Sequence, residues 1–91
     1  MAVRVRIPTP LRNLTANQEV VDAEGPSLEA AFDNLNSAFP GLKDRLCDER
    51  GELRRFVNVY INGEDVRFLS GLGTELKDGD EVSIVPAVAG G

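Results

Sequence analysis

The chain has 91 residues, 42% of them hydrophobic, the length of one domain with enough apolar side chain for a single helix-on-sheet core. Ten Lys and Arg against fifteen Asp and Glu leave a net charge of −5, a balance that argues against binding the phosphate backbone of a nucleic acid. Histidine is absent, which excludes His-assisted Ser or Cys nucleophiles and His-containing zinc sites.

Along the chain, Val3, Val5 and Ile7 alternate with Arg4 and Arg6, the period-2 pattern of a strand buried on one face. Pro8 and Pro10 end that strand. A polar turn at 13–17 and a second strand at 18–23 complete an N-terminal hairpin. Gly25-Pro26-Ser27 then announces a helix, with Ser27 as N-cap and Glu29 near the positive end of the dipole. Leu28, Ala31, Phe32, Leu35, Ala38 and Phe39 make one apolar stripe at helical spacing, stopped by Pro40-Gly41. Residues 42–48 give one further short helical turn, and 48–52 a polar loop. A strong strand pattern at 56–61 meets Asn62-Gly63, the preferred pair for a type I′ hairpin turn. A short returning strand is expected at 64–68, irregular chain at 70–74, and a turn at Asp78-Gly79. The last strand is expected at 81–86, where Val82 and Ile84 alternate with Glu81, Ser83 and Val85.

One amphipathic helix can cap one face of a four- or five-stranded sheet. The order strand, strand, helix, strand, strand, strand predicts an α+β, β-grasp (ubiquitin-like) fold with a mixed sheet and one main helix. A ferredoxin-like arrangement competes, but it requires a second full helix and 42–46 is too short for one. Residues 1–86 are expected to form the domain and 87–91 a flexible tail. In a β-grasp fold the last strand lies centrally beside the first, so the tail starts from a firm anchor. Fully extended, its five residues span roughly 17 Å, enough to enter another protein's active site. Ala87, Val88 and Ala89 have neither bulk nor charge to obstruct a narrow channel, and Pro86 ends ladder pairing for want of an amide. Gly90 and Gly91 leave the approach to the terminal carboxylate unhindered.

Such an end suits a carboxylate that must itself react. A carboxylate is a poor electrophile at neutral pH; conversion to an acyl-adenylate with ATP supplies a leaving group. The chain has neither a G-x-x-x-x-G-K-[ST] loop nor G-x-G-x-x-G. ATP and magnesium are therefore expected on a partner enzyme, with no cofactor and no catalytic residue in this chain.

In its strand order, its D-G-D-E-V before the last strand and its Gly-Gly end, the whole chain resembles the sulfur-carrier proteins of the ThiS/MoaD superfamily. The stretches RFVNVYINGEDVRF and VPAVAGG look closest to the CysO-like carriers of actinobacterial cysteine biosynthesis. The resemblance implies that an E1-like adenylyltransferase adenylates the terminal Gly91 and that the carboxylate becomes a thiocarboxylate. It further implies, for the CysO-like branch, sulfur delivery to a PLP-dependent cysteine synthase using O-phosphoserine, and release of the cysteine by a zinc metallopeptidase. Only Gly91 carries over as the reactive residue, with Gly90 as the companion that fits the partner's channel. The chain departs from many molybdopterin-synthase small subunits, which have two prolines before the tail where this one has Val85-Pro86. A carrier for molybdopterin, thiamin thiazole or a specialised metabolite stays open, as does a ubiquitin-like protein modifier and a plain interaction domain.

Elsewhere the bland readings lead. Cys47, the single cysteine, cannot form an internal disulfide, and its acidic neighbours disfavour a thiolate, so it reads as a packing residue. The acid clusters 48–49, 64–65 and 78–81 lack calcium-loop spacing and suit turns; no metal is expected. Arg4, Arg6, Pro8, Asn58, Tyr60 and Val85 should share the sheet face opposite the helix. Val85, outward beside the tail, is expected to form a docking surface for the adenylating enzyme together with Pro8. No apolar run reaches membrane length and no signal peptide is visible. A cytoplasmic chain, monomeric when free, is therefore the expectation.

Overall fold

The computed structural model describes residues 2–55 and 57–86. The first strand, β1 (Ala2–Arg6), buries Val3 and Val5 and exposes Arg4 and Arg6, as alternation requires. It pairs antiparallel with β2 (Val20–Glu24), in a register that sets Val5 opposite Val21 and Arg6 opposite Val20.

The connection between them is not the simple polar turn expected at 13–17. It carries a 3₁₀ helix, Thr9–Thr15, capped by Pro8 and with a proline in its first turn, where a missing amide costs nothing. Leu11 and Leu14, one 3₁₀ turn apart, pack against the core. Thr15 is fully buried, its hydroxyl 3.0 Å from the Gln18 carbonyl and 3.3 Å from that of Arg12. Ala16 and Asn17 then adopt left-handed backbone and reverse the chain into β2. The second strand begins at Val20, two residues later than its sequence pattern suggests.

The main helix, α1 (Leu28–Ala38), starts at Ser27, whose hydroxyl accepts a hydrogen bond from the Ala30 amide at 3.2 Å. Leu28, Ala31, Phe32 and Leu35 are buried and form its sheet-facing stripe. A short helix, α2 (Leu42–Leu46), follows and sinks Leu42 and Leu46 into the same core. The Asn36 side-chain carbonyl ties it to α1 by accepting from the amides of Gly41 and Lys43.

The third strand, β3 (Val57–Ile61), turns through Asn62-Gly63, both with positive φ (51° and 89°), as a type I′ hairpin requires. The Asn62 amide group also holds the start of the last strand: its nitrogen donates to Asp80, and its oxygen accepts from the Glu81 amide. The returning strand β4 is only Glu64–Asp65, not 64–68. Asp65 ends it by accepting the Arg67 amide at 2.8 Å, which starts a 3₁₀ turn, Val66–Phe68, that drives Val66 fully into the core. A second 3₁₀ turn, Gly71–Gly73, occupies the stretch expected to be irregular.

The last strand, β5 (Glu81–Pro86), runs parallel to β1 and antiparallel to β3. The five strands stand in the order β2-β1-β5-β3-β4, so the final strand is central. This is the mixed sheet of a β-grasp fold, with α1 and α2 on one face and the core between.

Candidate functional site

The tail positions Ala87, Val88, Ala89, Gly90 and Gly91 lie outside the described residues, so the site is described from its root. On one side of β5, pairing with β1 ends at Ser83 opposite Arg6. On the other side, the β3 ladder continues through Val85 opposite Asn58 to Pro86 opposite Val57. Among the described residues, Pro86 is thus the last of the paired strand. An anchor reaching this far delivers whatever follows Pro86 at one end of the sheet.

Two depressions flank that root. One, of about 270 Å³, has Pro8 and Val85 in its walls together with Arg6, Arg12 and Ile7. The structure therefore brings together the two residues singled out as a docking pair, although 76 other residues separate them in the chain. Val85 is 44% exposed, a large apolar side chain on an open sheet face. Arg6 rims the depression while donating from Nε to Glu81 at 2.7 Å, and Arg12 donates to the Ile7 carbonyl at 3.0 Å. The second depression, of about 370 Å³, is lined by Pro10, Leu11, Val57 and Pro86 with Asp44, Arg45 and Arg54 at its edge. The tail root is a mostly apolar surface bordered by charged side chains of both signs.

The face opposite the helices carries Arg4, Arg6, Asn58, Tyr60 and Val85, as alternation predicts. Across it, Ser83 is opposite both Arg6 on β1 and Tyr60 on β3.

Cys47 lies elsewhere. It is 4% exposed, pairs with Leu53 in an isolated antiparallel bridge, and lines neither depression. Burial is the main force pushing its thiol pKa up; Lys43 acts in the opposite direction, and Asp48 adds a smaller upward push. The acidic neighbours are therefore secondary to desolvation in keeping it a thiol.

The turn carboxylates are occupied with backbone amides. Asp48 accepts from Arg50 and Glu52, Asp65 from Arg67, Asp78 from Ala2, and Asp80 from Lys77. Among the described residues, no three His, Cys, Asp or Glu side chains gather as a metal site. Nor is any described helix long and apolar enough to cross a membrane.

The ThiS family model matches residues 5–91. The sulfur carrier protein CysO of Mycobacterium tuberculosis H37Rv is 50% identical over 93 aligned positions, covering all of both chains. Among solved structures, a chain of the Amycolatopsis orientalis BexX/CysO complex superimposes with a TM-score of 0.92 at 49% identity, covering 98% of this chain and 99% of that one. The small archaeal modifier protein 1 of Methanosarcina acetivorans gives a TM-score of 0.82 at 34% identity, covering 99% and 96%. By sequence along nearly its whole length, and by a β-grasp sheet that ends at the root of a Gly-Gly tail, the chain belongs to the ThiS family.

Proposed function

We propose that this chain is a sulfur carrier whose terminal Gly91 carboxylate is the reactive group, and that the sulfur goes to cysteine biosynthesis. The end-to-end match to a protein named as a sulfur carrier, running through Gly91, carries this reading. Support also comes from β5, which pairs with β3 as far as the described chain extends, to Pro86 at the edge of an open, mostly apolar depression.

In the proposed sequence a Gly91 carboxylate oxygen attacks the α-phosphorus of ATP on an E1-like adenylyltransferase, and pyrophosphate leaves. Hydrosulfide then attacks the acyl carbonyl and AMP departs, leaving the thiocarboxylate. Both steps use the partner's nucleotide and magnesium; the carrier contributes the acyl group and its delivery. Gly90 contributes by adding no side chain beside the reacting carbonyl, and Ala87, Val88 and Ala89 by passing through a narrow channel. Val85 and Pro8 hold the adenylating enzyme against the tail root. A cysteine synthase-like PLP enzyme accepts the sulfur, and a zinc metallopeptidase frees the product.

The experiment is to incubate the chain with its E1-like enzyme, ATP and a sulfur source, then offer the product to a cysteine synthase with O-phosphoserine. A cysteinyl adduct on the carrier supports the cysteine route. Thiocarboxylate without adduct supports a carrier for another pathway. The similarity to a small archaeal modifier protein favours one second reading, a ubiquitin-like modifier. That reading predicts chains of higher mass on other proteins in the same incubation.

A further inference from the structure

Next to the tail root, the loop before β3 and the 3₁₀ turn after β4 enclose a groove of about 660 Å³. Arg50, Arg54, Arg55 and Arg67 line it, against two carboxylates, Asp48 and Glu52. On a chain of net charge −5 this is a local reversal of sign. The two carboxylates are already engaged. Asp48 accepts two backbone amides and lies 3.8 Å from Arg50, and Glu52 lies 3.4 Å from the same guanidinium.

Arg54 and Arg67 are held differently. The Arg67 guanidinium donates to the Asn58 side-chain oxygen and, at 2.9 Å, to the Val57 carbonyl. Arg54 donates from Nε to the Asp44 carbonyl at 3.0 Å. Among the described residues neither has a carboxylate within ion-pair distance. Neutral oxygens therefore fix both side chains in place, with Asp48 acting on Arg54 from beyond ion-pair distance. Guanidinium groups ordered in this way meet a carboxylate with little further loss of side-chain freedom.

Two features indicate what faces them. Arg54 and Val57 belong both to this groove and to the depression containing Pro86, so the arginine surface is continuous with the tail root. Any enzyme that takes up the tail is brought against it. Phe68, next to Arg67, is 88% exposed, and Arg67 also borders a shallow apolar cleft with Leu53 and Leu72. An ordered arginine beside an unburied aromatic ring is the composition of a protein interface centre rather than of a small-anion pocket.

We propose that Arg54 and Arg67 form a second docking surface, which receives an acidic protein surface on the enzyme that activates the tail. This deepens the carrier reading and rests on it. The pair steers encounter and sets the carrier's orientation, so that the segment after Pro86 is aimed into the enzyme.

The test uses the intact chain and the E1-like adenylyltransferase from the same genome, with association followed by surface plasmon resonance across a salt series. The wild type should associate more slowly as salt rises. Arg54→Glu with Arg67→Glu should slow association by about tenfold or more at low salt and flatten the salt dependence. Arg54→Glu alone, which gives up one exposed hydrogen bond to the Asp44 carbonyl of α2, should show a smaller loss in the same direction and keeps the test valid where the double variant fails to fold. Folded variants that associate at the wild-type rate with the wild-type salt dependence overturn the proposal. So does saturable binding of inorganic phosphate in the groove with unchanged enzyme association. Thiocarboxylate formation is measured separately by mass; its absence in the wild type counts against the carrier reading, while the association data still decide the docking surface.

Discussion

Val85 stands directly opposite Asn58 in the β5–β3 ladder, and the Asn58 side-chain oxygen accepts a hydrogen bond from the Arg67 guanidinium. Residues opposite one another on antiparallel strands project to the same face. The exposed valine and the ordered arginine are therefore both neighbours of Asn58, on the strand that pairs with β5.

Val85 is the residue to charge. Val85→Asp should raise the KM of the activating enzyme for the carrier by about tenfold, in the range of an interface residue that matters, and leave kcat unchanged. On an exposed strand face the substitution should cost no more than about 1 kcal/mol of stability. Steady-state kinetics with a thermal melt check both, and an unchanged KM would remove Val85 from the interface.

Cys47 should matter to folding and not to sulfur chemistry. Cys47→Ser puts a hydroxyl in a site that is 4% exposed and should destabilise the domain by about 1–3 kcal/mol, while thiocarboxylate formation continues. Burial raises the thiol pKa above its ordinary 9.0, so the unfolded chain gives up the proton first. Above about pH 9 the native state then binds more protons than the unfolded state, and stability falls as pH rises. Urea melts from pH 8 to 10 should show a smaller fall for Cys47→Ala than for the wild type.

Asp48 gives the opposite dependence. Hydrogen bonds from the Glu52 amide, then the Arg50 amide, with the nearby guanidinium charges, hold its carboxyl below the ordinary 3.8 against some desolvation. Its contribution is present above that pH and disappears as pH falls through the lower native value. Asp48→Asn should lose stability at pH 7 and show a flatter acid limb, which thermal melts between pH 7 and 2 would reveal.

Gly25 should resist any side chain. A Cβ there would stand 2.7 Å from the Ala31 nitrogen and 2.8 Å from the Ala30 carbonyl carbon, both backbone atoms of the first turn of α1. Gly25→Ala should therefore cost about 1–3 kcal/mol, the usual penalty for overpacking. A melting temperature equal to the wild type would show that the helix moves aside freely.

Long-period features were the legible ones. The alternation in β1 and β5, the apolar stripe of α1 and the Asn62-Gly63 turn each encode an element locally, and together they led to the β-grasp order seen in the sheet. The loop between β1 and β2 was misread because Pro8 and Pro10 look like terminators. They serve equally as the start of a 3₁₀ helix, and Leu11 and Leu14 were the signal for it. The strand expected at 64–68 was cut short because alternation cannot show that Asp65 caps its own successor. Pro8 and Val85 could be paired from topology alone, since both lie where β1 and β5 end. The arginine groove could not, because Arg54 and Arg67 are placed by hydrogen bonds to the Asp44 and Val57 carbonyls and to the Asn58 side chain, and those leave no trace in a residue pattern.

The central claim is that the Gly91 carboxylate reacts. Intact-mass measurement after incubation with the E1-like enzyme, ATP and a sulfur source tests it most directly. The carrier should gain the mass difference of one sulfur replacing one oxygen, and a chain lacking Gly91 should gain nothing. An unchanged wild-type mass, or an equal gain on the chain without Gly91, would contradict it.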